Sequence, residues 1–132
     1  MDVIRFISLT LFIGLASWTC DKQGIVNGGY YINDKMDRLN TYHLYDFISI
    51  EKVQKHAIES AYTKGSTTLN YYFPYNSNIP GHSLKLVKSL SEANELIAIY
   101  SSNIKYAFIR EKSGEIKFVD CSKSPNEELC HP

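Results

Sequence analysis

Residues 49–75, SIEKVQKHAIESAYTKGSTTLNYYFPY, change from helical to strand periodicity within one short stretch. The apolar residues of the first half recur on one face of a helix: Ile50, Val53, Ala57, Ile58 and Ala61. Ser49 is a suitable N-cap, and Gly65 is a suitable stop because glycine readily adopts the left-handed conformation that ends many helices. The spacing predicts a helix over residues 50–64.

After Gly65 the apolar residues alternate, which is typical of a strand. The members of this alternation are Leu69, Tyr71, Phe73 and Tyr75. Pro74 favours an edge strand or a strand end, because proline cannot donate a hydrogen bond to the sheet. We expect Tyr71 and Phe73 to face the core and Tyr72 to lie on the opposite face.

The flanking stretches are less regular. The segment 33–48 mixes helical and strand spacing, and we favour a short strand in its second half. Residues 84–90 are predicted as a strand. Residues 95–100 are predicted as a second strand, because they are rich in residues with β propensity. A capping-box match, Ser89-x-x-Glu92, keeps a helix over residues 90–100 as the alternative.

A hairpin is indicated near the C-terminus, where alternating apolar residues flank the glycine turn Lys112-Ser113-Gly114. Together the elements predict an α+β domain, in which one amphipathic helix packs on a four- or five-stranded antiparallel meander. This order resembles cystatin-like folds over about residues 42–121. The resemblance concerns topology and implies no function.

The N-terminus has the layout of a secretory signal peptide, with Arg5 ahead of an apolar run that is too short to span a membrane comfortably. We expect a cleaved signal peptide over residues 1–19, with an uncleaved anchor as the alternative. A flexible, glycine-containing entry segment or tether is predicted over 20–40, and a single α+β domain over 41–132. The protein is thus expected in the periplasm or attached to the cell envelope.

Cys20 stands where a bacterial lipoprotein carries its acylated cysteine, so the N-terminus resembles that class. The three preceding residues, Ser17, Trp18 and Thr19, depart from the usual lipoprotein pattern. Three fates stay open for Cys20: lipidation with membrane attachment, a free thiol, or removal with the signal peptide.

The other two cysteines, Cys121 and Cys130, are the natural disulfide pair of an exported protein. A zinc site that adds His131 is the competing interpretation. Because no C-x-x-C spacing is present, we predict a disulfide and no metal.

Composition excludes some function classes. The chain has 14 basic and 14 acidic residues with no cationic run, which argues against nucleic-acid binding. Its four histidines form no H-E-x-x-H motif, and there is no nucleophile elbow or phosphate-binding glycine loop. We therefore expect neither an enzyme nor a cofactor.

Tyrosine is the one compositional excess, with 10 in the chain. Aromatic residues are favoured at protein interfaces, and the candidate partner contacts are Tyr72, Tyr75 and His82. We expect a small exported protein that binds another protein, such as an inhibitor or immunity factor against a periplasmic toxin or hydrolase. The alternative is an accessory lipoprotein of a secretion or conjugation apparatus.

Overall fold

The structure, a computed structural model, describes residues 24–79 and 82–132. Within them five strands form one sheet whose spatial order follows the chain. The strands are β1 (Ile25–Ile32), β2 (Arg38–Leu44), β3 (Thr68–Pro74), β4 (Tyr106–Arg110) and β5 (Ile116–Asp120). Helix α1 (Ile50–Glu59) connects β2 to β3, and α2 (Leu90–Ala98) lies between β3 and β4. The predicted signal peptide and Cys20 lie outside the described residues.

The sheet is mostly antiparallel, and the α+β class is confirmed. Strands β2 and β3 are parallel, with Arg38 opposite Thr68 and Leu44 opposite Pro74. A parallel pair needs a crossover connection, which α1 supplies. The prediction of a continuous antiparallel meander is therefore wrong at this pair, and the cystatin-like order remains a resemblance without support from the pairing.

The two helices cover opposite faces of the sheet. On the helix-1 face, Val53 and Ala57 of α1 pack in one cluster with Tyr72. On the helix-2 face, Ala93 and Ile97 of α2 pack with Phe73 and its neighbours. The prediction of a single covering helix is wrong, because α2 occupies the second face.

Strand β3 is the central strand, and its first six residues are buried. The predicted edge position is wrong, although Pro74 does lie at the strand end, where its missing N–H is tolerated. A strand buried on both faces has no solvent side, so the alternation seen in the sequence separates two cores rather than core from water.

Helix α1 begins as predicted and ends early. The Ser49 hydroxyl accepts a hydrogen bond from the Lys52 N–H at 3.3 Å, as expected of an N-cap. The helix ends at Glu59 rather than at residue 64, because Ser60 is extended and its hydroxyl donates to the Ala57 carbonyl at 2.6 Å.

Helix α2 replaces the strand predicted for residues 95–100. The other predicted strand, residues 84–90, is also absent, and its first three residues belong to a short 3₁₀ helix, His82–Leu86. The capping-box alternative is confirmed. The Ser89 hydroxyl accepts from the Glu92 N–H at 3.1 Å, and the Glu92 carboxylate accepts from the Lys88 N–H at 2.8 Å. These bonds satisfy free donors at the helix start, so they outweigh the β propensity of the later residues.

The segment predicted as a flexible entry, residues 20–40, contains β1 and the start of β2. Gly28 allows strands β1 and β2 to pack closely, because a Cβ at this position would lie 2.5 Å from the Thr41 Oγ1. The pairing of β1 with β2 shifts register between Asn27 and Tyr30, as at a bulge. The described domain thus includes the strand before residue 41.

The C-terminal predictions are confirmed. Strands β4 and β5 pair antiparallel across a turn in which Gly114 has φ of 91°. Cys121 and Cys130 form a disulfide with an S–S distance of 2.04 Å. Both cysteines belong to the cluster on the helix-2 face, so the bridge fastens the tail to the core.

Candidate functional site

The fold separates the three residues predicted for partner contact. Tyr72 has no exposed surface, so the predicted exposure of its face is wrong; α1 covers it. Tyr75 follows β3 directly and is 47% exposed. His82 begins the short 3₁₀ helix, and its side chain lies outside the described part of the chain.

Tyr75 belongs to a stacked group that we call the aromatic patch, formed by Tyr45, Phe47 and Tyr75. The rings of Tyr45 and Tyr75 stack with centroids 4.4 Å apart. Phe47 stacks with Tyr45 at 5.6 Å and is 70% exposed. The patch thus presents three aromatic rings in one row, of which Phe47 and Tyr75 are exposed to solvent.

The parallel pairing of β2 and β3 creates this patch. Tyr45 follows the end of β2 and Tyr75 follows the end of β3, and parallel strands end at the same edge of a sheet. The Tyr75 N–H donates to the Leu44 carbonyl at 2.8 Å, which holds the two loops together. The His43 Nδ1 lies 3.2 Å from the Tyr75 carbonyl oxygen and adds a second link between the strand ends.

The chemistry of the patch suits contact rather than catalysis. A hydrogen bond with Tyr75 raises the pKa of the Tyr45 hydroxyl, so the Tyr45 phenol is neutral at physiological pH. Stacked rings have few rotatable bonds left to immobilise, and each has an apolar face with a polar tip. Such a surface loses little entropy when it docks on another protein.

A second feature is a buried hydrogen-bonded network on the helix-1 face. The Asn70 Nδ2 donates to the Tyr72 hydroxyl at 3.2 Å, and that oxygen lies 2.9 Å from the His56 Nδ1. Because the hydroxyl oxygen accepts from Asn70, its own proton is available for donation to His56. In this arrangement the His56 Nδ1 is the acceptor and the Nε2 carries the ring proton. Burial lowers the pKa of His56, which agrees with a neutral ring.

Asn70 ties this network to both neighbouring elements. Its Oδ1 accepts from the Asn40 Nδ2 at 2.9 Å, and its Nδ2 also donates to the Ser60 hydroxyl at 3.1 Å. Ser60 in turn donates to the Ala57 carbonyl. These side chains form hydrogen bonds with one another, and the resulting network fixes α1 on the sheet.

The described residues offer no metal centre, since residues 24–79 and 82–132 contain no group of three His, Cys, Asp or Glu side chains close enough to bind an ion. The zinc alternative at Cys121, Cys130 and His131 conflicts with the disulfide, because bridged sulfurs are not thiolate ligands. In the same part of the chain, every helix falls short of the length and apolarity required to cross a membrane.

Sequence reasoning missed Tyr45 and Phe47. They follow Leu44, the last residue of β2, as Tyr75 follows β3. The sequence does show an aromatic residue just after each of these two strands, but the inference needs the strands to be parallel. That pairing was not predicted.

No family model, no curated protein and no solved structure matches this chain.

Proposed function

We propose that this protein is a small exported envelope protein that acts by binding another protein, as an inhibitor or immunity factor against a periplasmic toxin or hydrolase. Export is supported by the signal-peptide layout of residues 1–19. The disulfide supports the same compartment, because such bonds persist in oxidising environments.

The aromatic patch is the observation that carries the binding proposal. The largest exposed apolar patch on a monomer is often functional, and such patches mark protein interaction sites. The patch is placed by two loops that are bonded to each other, so its rings are already arranged for contact. Aromatic residues held in this way are typical anchors of protein interfaces.

Two substitutions test the patch on the purified exported protein against candidate periplasmic toxins and hydrolases, starting with the product of any adjacent gene. Phe47→Ala and Tyr75→Ala should each weaken binding about tenfold or more, since anchor residues contribute about 1–3 kcal/mol. The melting temperature should change little. Tyr30→Ala is the matched control, because Tyr30 is an aromatic residue of β1 that is 57% exposed outside the patch.

A stoichiometric complex whose affinity is equal in the wild type and both patch variants contradicts the role of the patch. An equal loss in the Tyr30→Ala variant also contradicts it.

The position of Cys20 supports a second candidate, a membrane-tethered accessory lipoprotein of a secretion or conjugation apparatus. Mass spectrometry of the mature N-terminus distinguishes the two. An acylated Cys20 with co-purifying apparatus subunits favours the lipoprotein, and an unmodified mature N-terminus with one soluble enzyme bound favours the inhibitor.

A further inference from the structure

Two pairs of tyrosines stack across the parallel strands β2 and β3. Tyr42 and Tyr72 are register partners, and their ring centroids lie 5.0 Å apart with the planes inclined by 19°. Tyr45 and Tyr75 follow the two strand ends, with centroids 4.4 Å apart and planes inclined by 21°. The two pairs therefore have nearly the same geometry. We call Tyr42 and Tyr72 the inner pair, and Tyr45 and Tyr75 the outer pair.

The pairs differ in their access to solvent. Helix α1 covers the inner pair, in which Tyr42 is 9% exposed and Tyr72 has no exposed surface. In the outer pair Tyr75 is 47% exposed, and Tyr45 is partly exposed. A dissolved reagent can therefore reach the outer pair, whereas the helix shields the inner pair.

The hydroxyl groups of the two pairs also have different surroundings. The Tyr72 hydroxyl bonds to the Asn70 Nδ2 and the His56 Nδ1, so the inner pair belongs to the buried network. In the outer pair the Tyr45 and Tyr75 side chains share a hydrogen bond with each other. A tyrosine has one polar side-chain atom, so the two outer phenol oxygens are neighbours.

We propose that the outer pair is an oxidative modification site, at which Tyr45 and Tyr75 are joined as dityrosine. The co-reactant is a one-electron oxidant of the peroxidase type. Each phenol gives one electron to the oxidant and its hydroxyl proton to water. The two tyrosyl radicals then form one bond between the ring carbons next to their hydroxyl groups. The hydrogen on each of these carbons moves to oxygen as the phenols re-form, so the product has lost two hydrogens overall.

The fold makes this coupling an intramolecular reaction between rings that are already in contact. Groups held in this way react with effective molarities that reach about 10⁵–10⁸ M. The Tyr75 N–H donates to the Leu44 carbonyl at 2.8 Å, which keeps the two loops together while the radicals form. Among the described residues, the exposed tyrosines Tyr30 and Tyr62 stack on no other tyrosine. The outer pair is therefore the expected position of the bond.

The modification is independent of the proposed protein contact, although both involve the aromatic patch. It requires an oxidant and no partner, so either proposal can fail while the other holds. The proposed export would place the pair in an oxidising compartment. The product would join the ends of β2 and β3 by a covalent bond.

The test treats the dilute exported protein, with its disulfide intact, with a haem peroxidase and hydrogen peroxide. We expect a monomeric product that has lost two hydrogens and shows the blue fluorescence of dityrosine. Trypsin should release residues 39–52 and 65–85 joined to each other. Because these peptides contain both tyrosine pairs, fragment-ion masses must locate the bond, which we expect between Tyr45 and Tyr75.

Single phenylalanine variants complete the test. Tyr45→Phe and Tyr75→Phe should each abolish the product, because phenylalanine keeps the ring but has no hydroxyl to oxidise. Tyr30→Phe is the matched control and should leave the yield unchanged, since Tyr30 is 57% exposed and lies outside the pair. Oxidation in urea should remove the preference for the outer pair, because the stacked arrangement is lost.

Three results overturn the proposal. The first is a folded protein that gives intermolecular dimers or no dityrosine at all. The second is a bond between Tyr42 and Tyr72 in the folded protein, since solvent access would then not decide which pair reacts. The third is an equal yield of the Tyr45–Tyr75 bond in urea, because the fold would then not be its cause.

Discussion

The two faces of the sheet are built from the same strand, yet they differ in chemistry. On the helix-2 face, β3 contributes Leu69, Tyr71 and Phe73 to a mainly apolar cluster that includes the disulfide. On the helix-1 face, it contributes Thr68, Asn70 and Tyr72, whose polar atoms either bond to neighbours or stay unpaired.

The two faces are therefore stabilised in different ways, one by apolar packing and the other by specific hydrogen bonds. An apolar face is stabilised in proportion to the surface that it buries. A buried polar group is stable only when it has a hydrogen-bond partner, so a buried polar face specifies which side chains lie next to it. Any group left without a partner destabilises the fold. The helix-1 face is therefore the face whose hydrogen bonds specify which elements pack together.

The largest expected effects come from removing one ring on each face. Phe73→Ala and Tyr72→Ala should each lower the free energy of unfolding by about 3–5 kcal/mol, because both rings are fully buried. Urea denaturation monitored by circular dichroism measures both. A Tyr72→Ala variant as stable as the wild type would show that α1 does not cover this ring.

Loss of the disulfide tests the helix-2 face alone. The double variant Cys121→Ala/Cys130→Ala should lose about 2.5 kcal/mol through the entropy of the small closed loop. The two residues are 9 apart in sequence. Equilibrium unfolding of this variant checks the value, and the wild-type protein unfolded with its disulfide reduced is the control for the alanine side chains. No loss in the double variant would mean that the tail adds nothing to the core.

Removal of one hydroxyl tests the helix-1 face alone. Tyr72→Phe keeps the ring and leaves His56 and Asn70 without a shared partner, so we expect a loss of about 1–2 kcal/mol. Tyr75→Phe is the control and should be near neutral, because Tyr75 is 47% exposed and water can replace the hydrogen bond of its hydroxyl. Equal stability of the two variants would contradict the buried network.

The smallest effect concerns pH. Burial lowers the pKa of His56 in the folded protein below its ordinary value of 6.5. Below that pH the unfolded chain binds a proton that the folded protein does not, so stability should fall as the pH drops and stay level above about pH 7. Unfolding at pH 7.5 and pH 5.5 measures the slope, which should be shallower in His56→Gln. An unchanged slope in that variant would assign the effect to other groups.

The local elements with strong end signals were the predictable part of the fold. The Ser49 cap, the Gly114 turn and the cysteine pair all appear where the sequence placed them. The sequence predicted helix α2 only as the alternative to a strand, since its capping box favours a helix and its β-branched residues favour a strand. Capping decided between them because it satisfies backbone donors that otherwise stay free.

The candidate site was much less predictable. Tyr75 was identified from an aromatic cluster, but its partners Tyr45 and Phe47 come from a different loop. Those partners could not be identified from the sequence, because Tyr45 and Tyr75 are far apart in the chain and meet only through the parallel pairing of β2 and β3.

The sequence by itself determined where helix α1 begins, the alternation along β3, the terminal hairpin and the disulfide. Each depends on residues that are near one another in the chain, where propensity and spacing act directly. Tertiary structure alone decided that β2 and β3 run parallel, that helices cover both faces, and that Tyr72 is buried while Tyr75 is exposed. Alternation states which residues share a face of a strand, but only the packing of distant elements determines what that face meets.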